Sequence, residues 1–329
     1  MQKPIYHTFL AGWCADAAGA RLEFRNRRFT EEEVKNAMRF IGEKSNSISD
    51  GQYTDDSEME ICLLQGLLNG KNEEGFPAEK IAKEYIKWYD SFPFDIGNTT
   101  KMALFEAKNS NDMVNNAFEY NEDSESNGSL MRCIPIAVFC IGKPIETVLE
   151  AAAVDSSLTH YSDIVQLITG IYCCVISKIL FKRINNPEQE IDIRNLIRMI
   201  NNIITKQNNS DTRLLLWMSE SLELTDFKKY DAIKNEGHIK HSFVFFIFFL
   251  KNINHFTYEQ AILEVLKCGG DTDTNAKIIG NLFGAYYGDC VPRYMSTPVL
   301  NFDCTKAEGF YKRPKKYGIK NAIKLVENI

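Results

Sequence analysis

The sequence of 329 residues contains nine cysteines but lacks any Cys-x-x-Cys pair. Structural zinc sites are usually built from such pairs, and small disulfide frameworks need an even number of cysteines at regular spacings. Apart from the adjacent Cys173 and Cys174, the cysteines are scattered. This pattern argues against both kinds of scaffold, and it is typical of a protein in the reducing cytoplasm.

Neither the N-terminus nor the Phe-rich run has the features of a targeting or membrane segment. The residues Met1–Tyr6 do not begin a signal-peptide pattern. The apolar run Phe243–Leu250 is far shorter than the roughly 20 residues that a membrane-spanning helix needs. We therefore expect no membrane association and interpret the Phe-rich run as a buried helix.

The charge balance does not favour binding to nucleic acid. The 38 Lys and Arg residues are outnumbered by 44 Asp and Glu residues, which gives a net charge of −6 at pH 7. A nucleic-acid surface needs a concentrated basic patch instead. Bound cations would offset part of this negative charge.

Strand patterns bounded by hairpin turns are absent from the sequence, and helical patterns take their place. A capping box of Thr30 and Glu33 begins one helix, which we expect to end at Gly42. Apolar spacing predicts further helices over Ser57–Asn69, Ala78–Trp88, Ile145–Val154, Ser162–Leu180, Ile193–Ile204, Arg213–Leu222 and Tyr258–Leu266. Polar stretches are interpreted as loops at Glu43–Gln52, Asn109–Ser129 and Ile184–Glu190. Because no repeat or break in composition is present, residues 1–329 are expected to form a single all-α domain.

Two short segments rich in oxygen ligands lie far apart in the sequence. The candidate ligands are Thr54, Asp55 and Asp56 in the first segment and Asp271, Asp273 and Thr274 in the second. Carboxylate and hydroxyl oxygens suit hard divalent cations such as Mg²⁺, Mn²⁺ or Ca²⁺. Two such clusters are what a two-metal site requires.

Each acidic segment also has a simpler interpretation. Thr or Asp before a helix is a good N-cap, and acids in the first turn complement the helix dipole. Thr54 could cap one helix, and Thr274 could cap another that begins near Asn275. An EF-hand loop is excluded, because the twelfth position counted from Asp271 is Leu282 and not the required Glu.

Three further features have a functional and a structural interpretation. Asp16, followed seven residues later by Glu23, could serve a site or bond a neighbouring backbone. The loop Ser124–Arg132 is rich in small residues, whose backbone N–H groups can hold a phosphate or diphosphate, but ordinary loops have the same composition. His160, which follows Thr159, could bond a ligand or be a structural polar residue.

In this order the motifs resemble those of the ADP-ribosylglycohydrolase family, which includes the dinitrogenase-reductase-activating glycohydrolases and the ADP-ribosyl-acceptor hydrolases. The resemblance runs from about Leu10 to Pro292 and is densest at Tyr53–Asp56, Asn127–Arg132, Thr159-His160 and Gly269–Thr274. It implies an all-α orthogonal helical bundle with a binuclear metal cleft, where two Mg²⁺ or Mn²⁺ ions lie beside ADP-ribose. The implied activity is hydrolysis of the C1″ glycosidic bond, which releases ADP-ribose from its acceptor.

Residue roles are implied by the resemblance at the matching positions. The metal ligands would be Thr54, Asp55, Asp56, Asp271, Asp273 and Thr274. Asp273 would be shared between the two ions, and Asp16 would lie outside the ligand shell. The catalytic residues would be Glu23, Asp55 and Asp56. The residues that bind ADP-ribose would be Ser124, Asn127, Gly128, Ser129 and His160. Either Phe118 or Tyr120 would stack on the adenine.

Some positions depart from the family pattern. Ala15 replaces the usual Gly before Asp16. Glu125 and Ser126 occupy loop positions that are often Tyr or Gly, and Tyr294 lies near the place of a frequent Trp. No predicted metal ligand is lost by these changes.

The acceptor is left open by the sequence. The Glu23 spacing and the Gly284–Gly288 segment are closer to the branch that acts on serine-linked ADP-ribose or poly(ADP-ribose), but an arginine linkage or a small-molecule substrate is also compatible. A catalytically silent ADP-ribose-binding or crystallin-like protein and a Ca²⁺-binding scaffold are the alternatives. We expect a monomeric cytoplasmic enzyme that acts on ADP-ribosylated proteins.

Overall fold

The structure, a computed structural model, describes residues 3–43, 48–207, 212–227, 230–307 and 309–329. These residues contain sixteen α-helices and no β-strand, which confirms the predicted all-α class. Helices α1 to α8 span Lys3–Gly19, Glu31–Met38, Asp55–Asn69, Ala78–Tyr89, Asn98–Leu104, Ser110–Asn121, Ile134–Phe139 and Ile145–Ser157. Helices α9 to α16 span Asp163–Asn185, Ile193–Gln207, Arg213–Glu223, Ile239–Lys251, Tyr258–Lys267, Thr272–Tyr287, Arg293–Asn301 and Ile319–Val326.

Every helix that apolar spacing predicts is present, with ends that differ by a few residues. The capping box is present too, because Thr30 N donates to Glu33 Oε2 at 2.8 Å and Glu33 N donates to the Thr30 hydroxyl at 3.3 Å. This helix, α2, ends at Met38 and not at Gly42 as predicted. The chain turns at Phe40, whose φ of +57° takes it out of the helical path.

The prediction of a loop over Asn109–Ser129 is wrong in its first half, where α6 forms. The Asn109 side chain caps the helix by accepting a 3.0 Å hydrogen bond from Asp112 N. Met113 and Ala117, one turn apart, are buried against the rest of the protein. Tertiary packing at these two positions overrides the weak helix propensity of the Asn-rich sequence. The expected loop Ile184–Glu190 begins with the last two residues of α9 and contains no other helix. The described residues of the expected loop Glu43–Gln52 contain no helix, and residues 44–47 lie outside the described residues.

Helices α1 and α14 pack with their backbones in contact, because small residues line both. A Cβ atom added at Gly284 would lie 2.5 Å from the His7 carbonyl oxygen. One added at Gly19 would lie 2.4 Å from the Asp273 Cα. Only glycine allows such an approach. The packing therefore fixes the first turn of α14 against the last turn of α1.

The Phe-rich run forms most of α12, and its residues Phe243–Leu250 are buried as predicted. The rings of Phe227, Phe245, Phe248 and Phe249 form one aromatic group at this helix. Helix α9 is long and apolar enough to cross a membrane by length and composition, but 78% of its apolar window is buried inside the protein. Both apolar helices are thus packed among their neighbours.

Candidate active site

The first acidic motif lies at the start of α3, with Thr54 as its N-cap. The backbone N–H and the hydroxyl of Thr54 both donate to Asp16 Oδ1 at 3.0 Å. The Ser57 hydroxyl donates to the other oxygen of the same carboxylate. Asp16, which projects from α1, therefore holds the turn that presents Asp55 and Asp56.

The second acidic motif begins α14, but its cap differs from the prediction. The helix starts at Thr272 after Asp271, so Thr274 lies inside the first turn and does not cap it. The Thr274 hydroxyl donates instead to Asp56 Oδ1 at 3.1 Å, which joins two motifs that are 218 residues apart in the sequence. The Thr272 hydroxyl donates to the Gly19 carbonyl at 2.8 Å. The structure thus brings the two predicted oxygen clusters together.

Three carboxylates lie closest to one another at the site. Glu23, Asp95 and Asp273 each offer an oxygen atom, and these three atoms lie within 4.8 Å of one another. Glu23 comes from the turn after α1, and Asp95 comes from the loop between α4 and α5. Sequence reasoning missed Asp95 because no motif surrounds it. A usable signal was its position as a lone acid among the apolar residues Phe92, Phe94 and Ile96.

The electrostatics of this cluster are unfavourable for carboxylates on their own. Burial and then the charges of neighbouring acids raise the pKa values of Glu23, Asp55 and Asp273 well above their ordinary range. The same causes raise the pKa of Asp95 to about 6. Asp56 Oδ2 is buried without a hydrogen-bond partner among the described residues. Such a set of oxygen donors fits hard divalent cations, which would remove the repulsion and satisfy the lone oxygen.

A buried lysine behind the site also escaped sequence reasoning. Lys277, on the second turn of α14, donates to the Ser57 hydroxyl at 3.2 Å and pairs with Glu60 Oε2 at 3.5 Å. The Trp13 indole N–H donates to the same oxygen of Glu60 at 2.7 Å. Lys277 lowers the pKa values of Asp16 and Asp56, although burial raises both by more. Lys277 therefore anchors the residues beneath the first acidic motif through Ser57 and Glu60.

The small-residue loop reaches the acidic cluster through Asn127. The Asn127 side-chain amide donates to Asp271 Oδ2 at 2.7 Å, and its backbone N–H donates to the Gly237 carbonyl at 2.9 Å. The Ser124 hydroxyl is bonded to the Thr99 hydroxyl at 2.8 Å. The hydrogen bond from Asn127 to Asp271 thus joins the loop to the second acidic motif.

His160 lies directly against this loop. Its Nε2 is 2.8 Å from the Ser126 hydroxyl, and its Nδ1 is 2.7 Å from the Thr159 hydroxyl. A Cβ atom at Gly128 would lie 2.9 Å from His160 Cε1, so glycine is needed there. Burial and the nearby Arg132 lower the pKa of His160 well below its ordinary value. His160 is therefore a neutral residue that orders the loop.

The remaining predicted ligand-binding residues differ in their exposure to solvent. The Ser129 hydroxyl is fully buried and is bonded to the Thr169 hydroxyl at 3.0 Å, so its side chain faces the protein interior. The ring of Phe118 is exposed and packs edge-on against Tyr161, with 5.0 Å between centroids. Tyr120 is exposed as well. Because Tyr161 follows His160 in sequence, Phe118 and Tyr161 present an aromatic pair beside the loop.

The chain is similar in sequence to several known proteins. A protein of Acanthamoeba polyphaga mimivirus that carries the name of an ADP-ribosyl glycohydrolase is 28% identical over 316 residues, which cover 91% of this chain and 92% of that protein. The ADP-ribosyl-[dinitrogen reductase] glycohydrolase of Rhodospirillum rubrum is 22% identical and covers 86% of each chain. The ADP-ribosylarginine hydrolase Tri1 of Pseudomonas putida (strain GB-1) is 26% identical, covering 83% of this chain and 67% of that protein.

The fold agrees with a solved structure of an ADP-ribosylglycohydrolase-related protein complex. The TM-score is 0.67 at 20% identity, and the match covers 99% of this chain and 96% of the other. The family model described as ADP-ribosylglycohydrolase matches residues 3–316, nearly the whole chain. The protein therefore belongs to the ADP-ribosylglycohydrolase family.

Proposed function

We propose that the protein is a metal-dependent hydrolase that cleaves the C1″ glycosidic bond between ADP-ribose and an acceptor side chain. The observation that carries this proposal is the meeting of the two acidic motifs at Asp56 and Thr274, next to the three carboxylates of Glu23, Asp95 and Asp273. A silent ADP-ribose-binding protein would not need so many mutually repelling acids in one place. The arrangement is understandable if it binds cations and acts on a bond.

Two Mg²⁺ or Mn²⁺ ions are the proposed cofactors. The residues that would hold them are Thr54, Asp55, Asp56, Asp271, Asp273 and Thr274. When bound, such ions supply Lewis-acid and orienting chemistry toward the hydroxyls of the distal ribose and a water. The position of Glu23 and Asp95 against Asp273 adds two carboxylates to the edge of this ligand set.

The protein's own carboxyl groups would handle the protons. Loss of the acceptor builds oxocarbenium-like positive charge on the ribose, which nearby carboxylates stabilise. One carboxyl group must protonate the departing atom, and a carboxylate must take a proton from water. Glu23 is our candidate for proton transfer, because it lies in the turn after α1 and outside both acidic motifs. Asp95, from another loop, is its candidate partner.

The mid-chain loop would hold the diphosphate and ribose. Backbone N–H groups around Gly128 suit a diphosphate, and neutral His160 keeps the loop in place. The bond from Asn127 to Asp271 connects this loop to the metal ligands. Binding of ADP-ribose and placement of its scissile bond would therefore depend on each other.

An arginine-linked acceptor is our first choice. Two relatives are named ADP-ribosylarginine hydrolases. A cleft crowded with carboxylates also favours an arginine-linked substrate, whose guanidinium is cationic before cleavage and forms charge-assisted hydrogen bonds with carboxylates. The second choice is a serine-linked or polymeric substrate, which the Glu23 spacing suggests and for which Glu23 would donate the proton to the departing oxygen.

The test measures release of free ADP-ribose from arginine-linked and serine-linked ADP-ribosylated peptides by chromatography. Each substrate is incubated with Mg²⁺, with Mn²⁺ and with EDTA. We expect release from the arginine-linked peptide that EDTA abolishes. Release from the serine-linked peptide alone would reverse the choice of acceptor. Binding of ADP-ribose without release from any substrate would contradict the hydrolase and favour a silent binding protein.

A further inference from the structure

Three phenylalanines among the described residues have a left-handed backbone conformation. Their φ angles are +62° at Phe24, +57° at Phe40 and +55° at Phe92. A bulky side chain is strained in this region, which is the reason that glycine or asparagine usually occupies it. Phe40 is only 4% exposed, so its packing in the core accounts for its conformation. Phe24 and Phe92 are 60% and 87% exposed, and core packing does not account for theirs.

Both exposed phenylalanines are close in sequence to an acid of the cluster. Phe24 directly follows Glu23, and Phe92 precedes Asp95 by three residues. The carboxylate oxygens of Glu23 and Asp95 lie within 4.8 Å of each other. Since neighbouring Cα atoms are 3.8 Å apart, the Phe92 Cα is at most about 11 Å from that of Asp95. Each of the two chain segments that bring Glu23 and Asp95 to the cluster thus also carries an exposed aromatic ring.

The conformation at Phe92 is fixed from inside the protein. Arg313, which is buried, donates to the Ser91 and Phe92 carbonyl oxygens at 2.9 and 3.2 Å. Its Nε also donates to both carboxylate oxygens of Glu58 on α3, at 2.9 and 3.0 Å. The same helix carries Asp55. Strained backbone persists where its surroundings determine it, and such positions concentrate at functional sites.

We propose that Phe24 and Phe92 form an aromatic rim that binds the polypeptide around the ADP-ribosylated residue. This inference rests on the proposed function, in which the modified side chain enters the cleft and the rest of the substrate protein stays outside. Exposed aromatic rings offer apolar contact area and lose little conformational entropy on binding. The expected partner is an extended segment with an apolar side chain next to the modified residue.

The test compares two substrates with the same scissile bond. One is an ADP-ribosylated peptide with leucine on both sides of the modified residue, and the other is the free ADP-ribosylated amino acid. The arginine linkage is used first, then the serine linkage. Phe24→Gly and Phe92→Gly remove one ring each and suit the positive φ angle, so the backbone can stay as it is. Phe181→Ala, which removes an exposed ring on α9, is the matched control.

We expect each glycine variant to raise the KM for the peptide about fivefold to tenfold, as loss of an aromatic contact does at an interface. Its kcat on the peptide, and its kcat and KM on the free amino-acid substrate, should stay within about twofold of the wild type. Its thermal midpoint should be unchanged. Equal losses on both substrates, or no change on the peptide, would overturn the rim and leave the proposed function intact. If the wild type releases ADP-ribose from neither substrate, the proposed function is overturned, and the rim with it.

Discussion

Asn127 donates a 2.7 Å hydrogen bond from its side-chain amide to Asp271 Oδ2, across 144 residues of sequence. This bond connects the small-residue loop to the acid at the start of α14. The charge of Asp271 also raises the pKa of Asp273, so the bond holds an acid that lies near the cluster. If Asp271 is a metal ligand as proposed, Asn127 acts by orienting that carboxylate and not by contact with the substrate.

Asn127→Ala should therefore raise the Mg²⁺ concentration needed for half-maximal ADP-ribose release. Loss of a hydrogen bond to a metal-binding carboxylate commonly costs about tenfold to a hundredfold in metal affinity or activity. The measurement is a Mg²⁺ titration of the release rate. Asn185→Ala, which removes an exposed amide at the end of α9, should leave the titration unchanged. An unaltered Mg²⁺ requirement in Asn127→Ala would contradict the orienting role.

Asp273→Ala should abolish ADP-ribose release and leave the helical fold intact. Its carboxylate lies against those of Glu23 and Asp95, so its removal takes away the proposed shared ligand and relieves repulsion between like charges. Circular dichroism and the thermal midpoint in EDTA should match or exceed those of the wild type. The rise in midpoint on addition of Mg²⁺ should become smaller. Retained turnover in excess Mg²⁺ would contradict the assignment of Asp273 as a shared ligand. Asp123→Ala, which removes an exposed acid, is the control.

Glu23→Gln and Asp95→Asn should each lower kcat, because each removes a carboxyl group that can transfer a proton and keeps its size. General acid or base catalysis is worth about a hundredfold to ten-thousandfold. A variant that loses kcat at an unchanged Mg²⁺ requirement has lost a proton-transfer group. One that needs more Mg²⁺ has lost a ligand. If both variants keep wild-type kcat, the acids that handle the protons lie elsewhere in the cleft.

The sequence predicts the helices well because their stability comes from long apolar faces, such as those of α4 and α13, that can be counted directly. It fails at α6, where two buried apolar residues are enough once the surrounding helices supply the contacting surface. The two acidic motifs could be found because each is compact in sequence. Asp95 and Lys277 could not, because each is a single residue whose neighbours in space come from other segments. Proximity of this kind is set by tertiary packing and leaves no local pattern.

The metal-free protein should lose stability as the pH rises from about 4 to above 6. In the folded state the pKa of Asp95 is raised from 3.8 to about 6, and burial and neighbouring acids raise the pKa values of Glu23, Asp55 and Asp273. The folded state thus binds more protons than the unfolded state, so the free energy of unfolding falls with increasing pH across this window. Chemical denaturation in EDTA at several pH values measures the slope.

Added Mg²⁺ should flatten or reverse this slope, because a cation stabilises the ionised carboxylates and binds only the folded state. The same denaturation series in Mg²⁺ is the control. A free energy of unfolding that rises with pH in EDTA would contradict the picture of mutually repelling acids. An identical slope with and without Mg²⁺ would show that the cluster does not bind the ion.

Gly19→Ala should destabilise the protein and reduce activity further than the loss of stability explains. The added Cβ would lie 2.4 Å from the Asp273 Cα and 2.5 Å from the Thr272 carbonyl oxygen, both backbone atoms that no side-chain rotation can move away. Overpacking of this kind typically costs about 1–3 kcal/mol. Gly97→Ala is the matched control, since its Cβ would meet nothing within 4 Å and its φ of −64° suits alanine. We expect a lower thermal midpoint and a higher Mg²⁺ requirement for Gly19→Ala alone. If only the midpoint changes, the contact between α1 and α14 supports the fold without setting the position of Asp273.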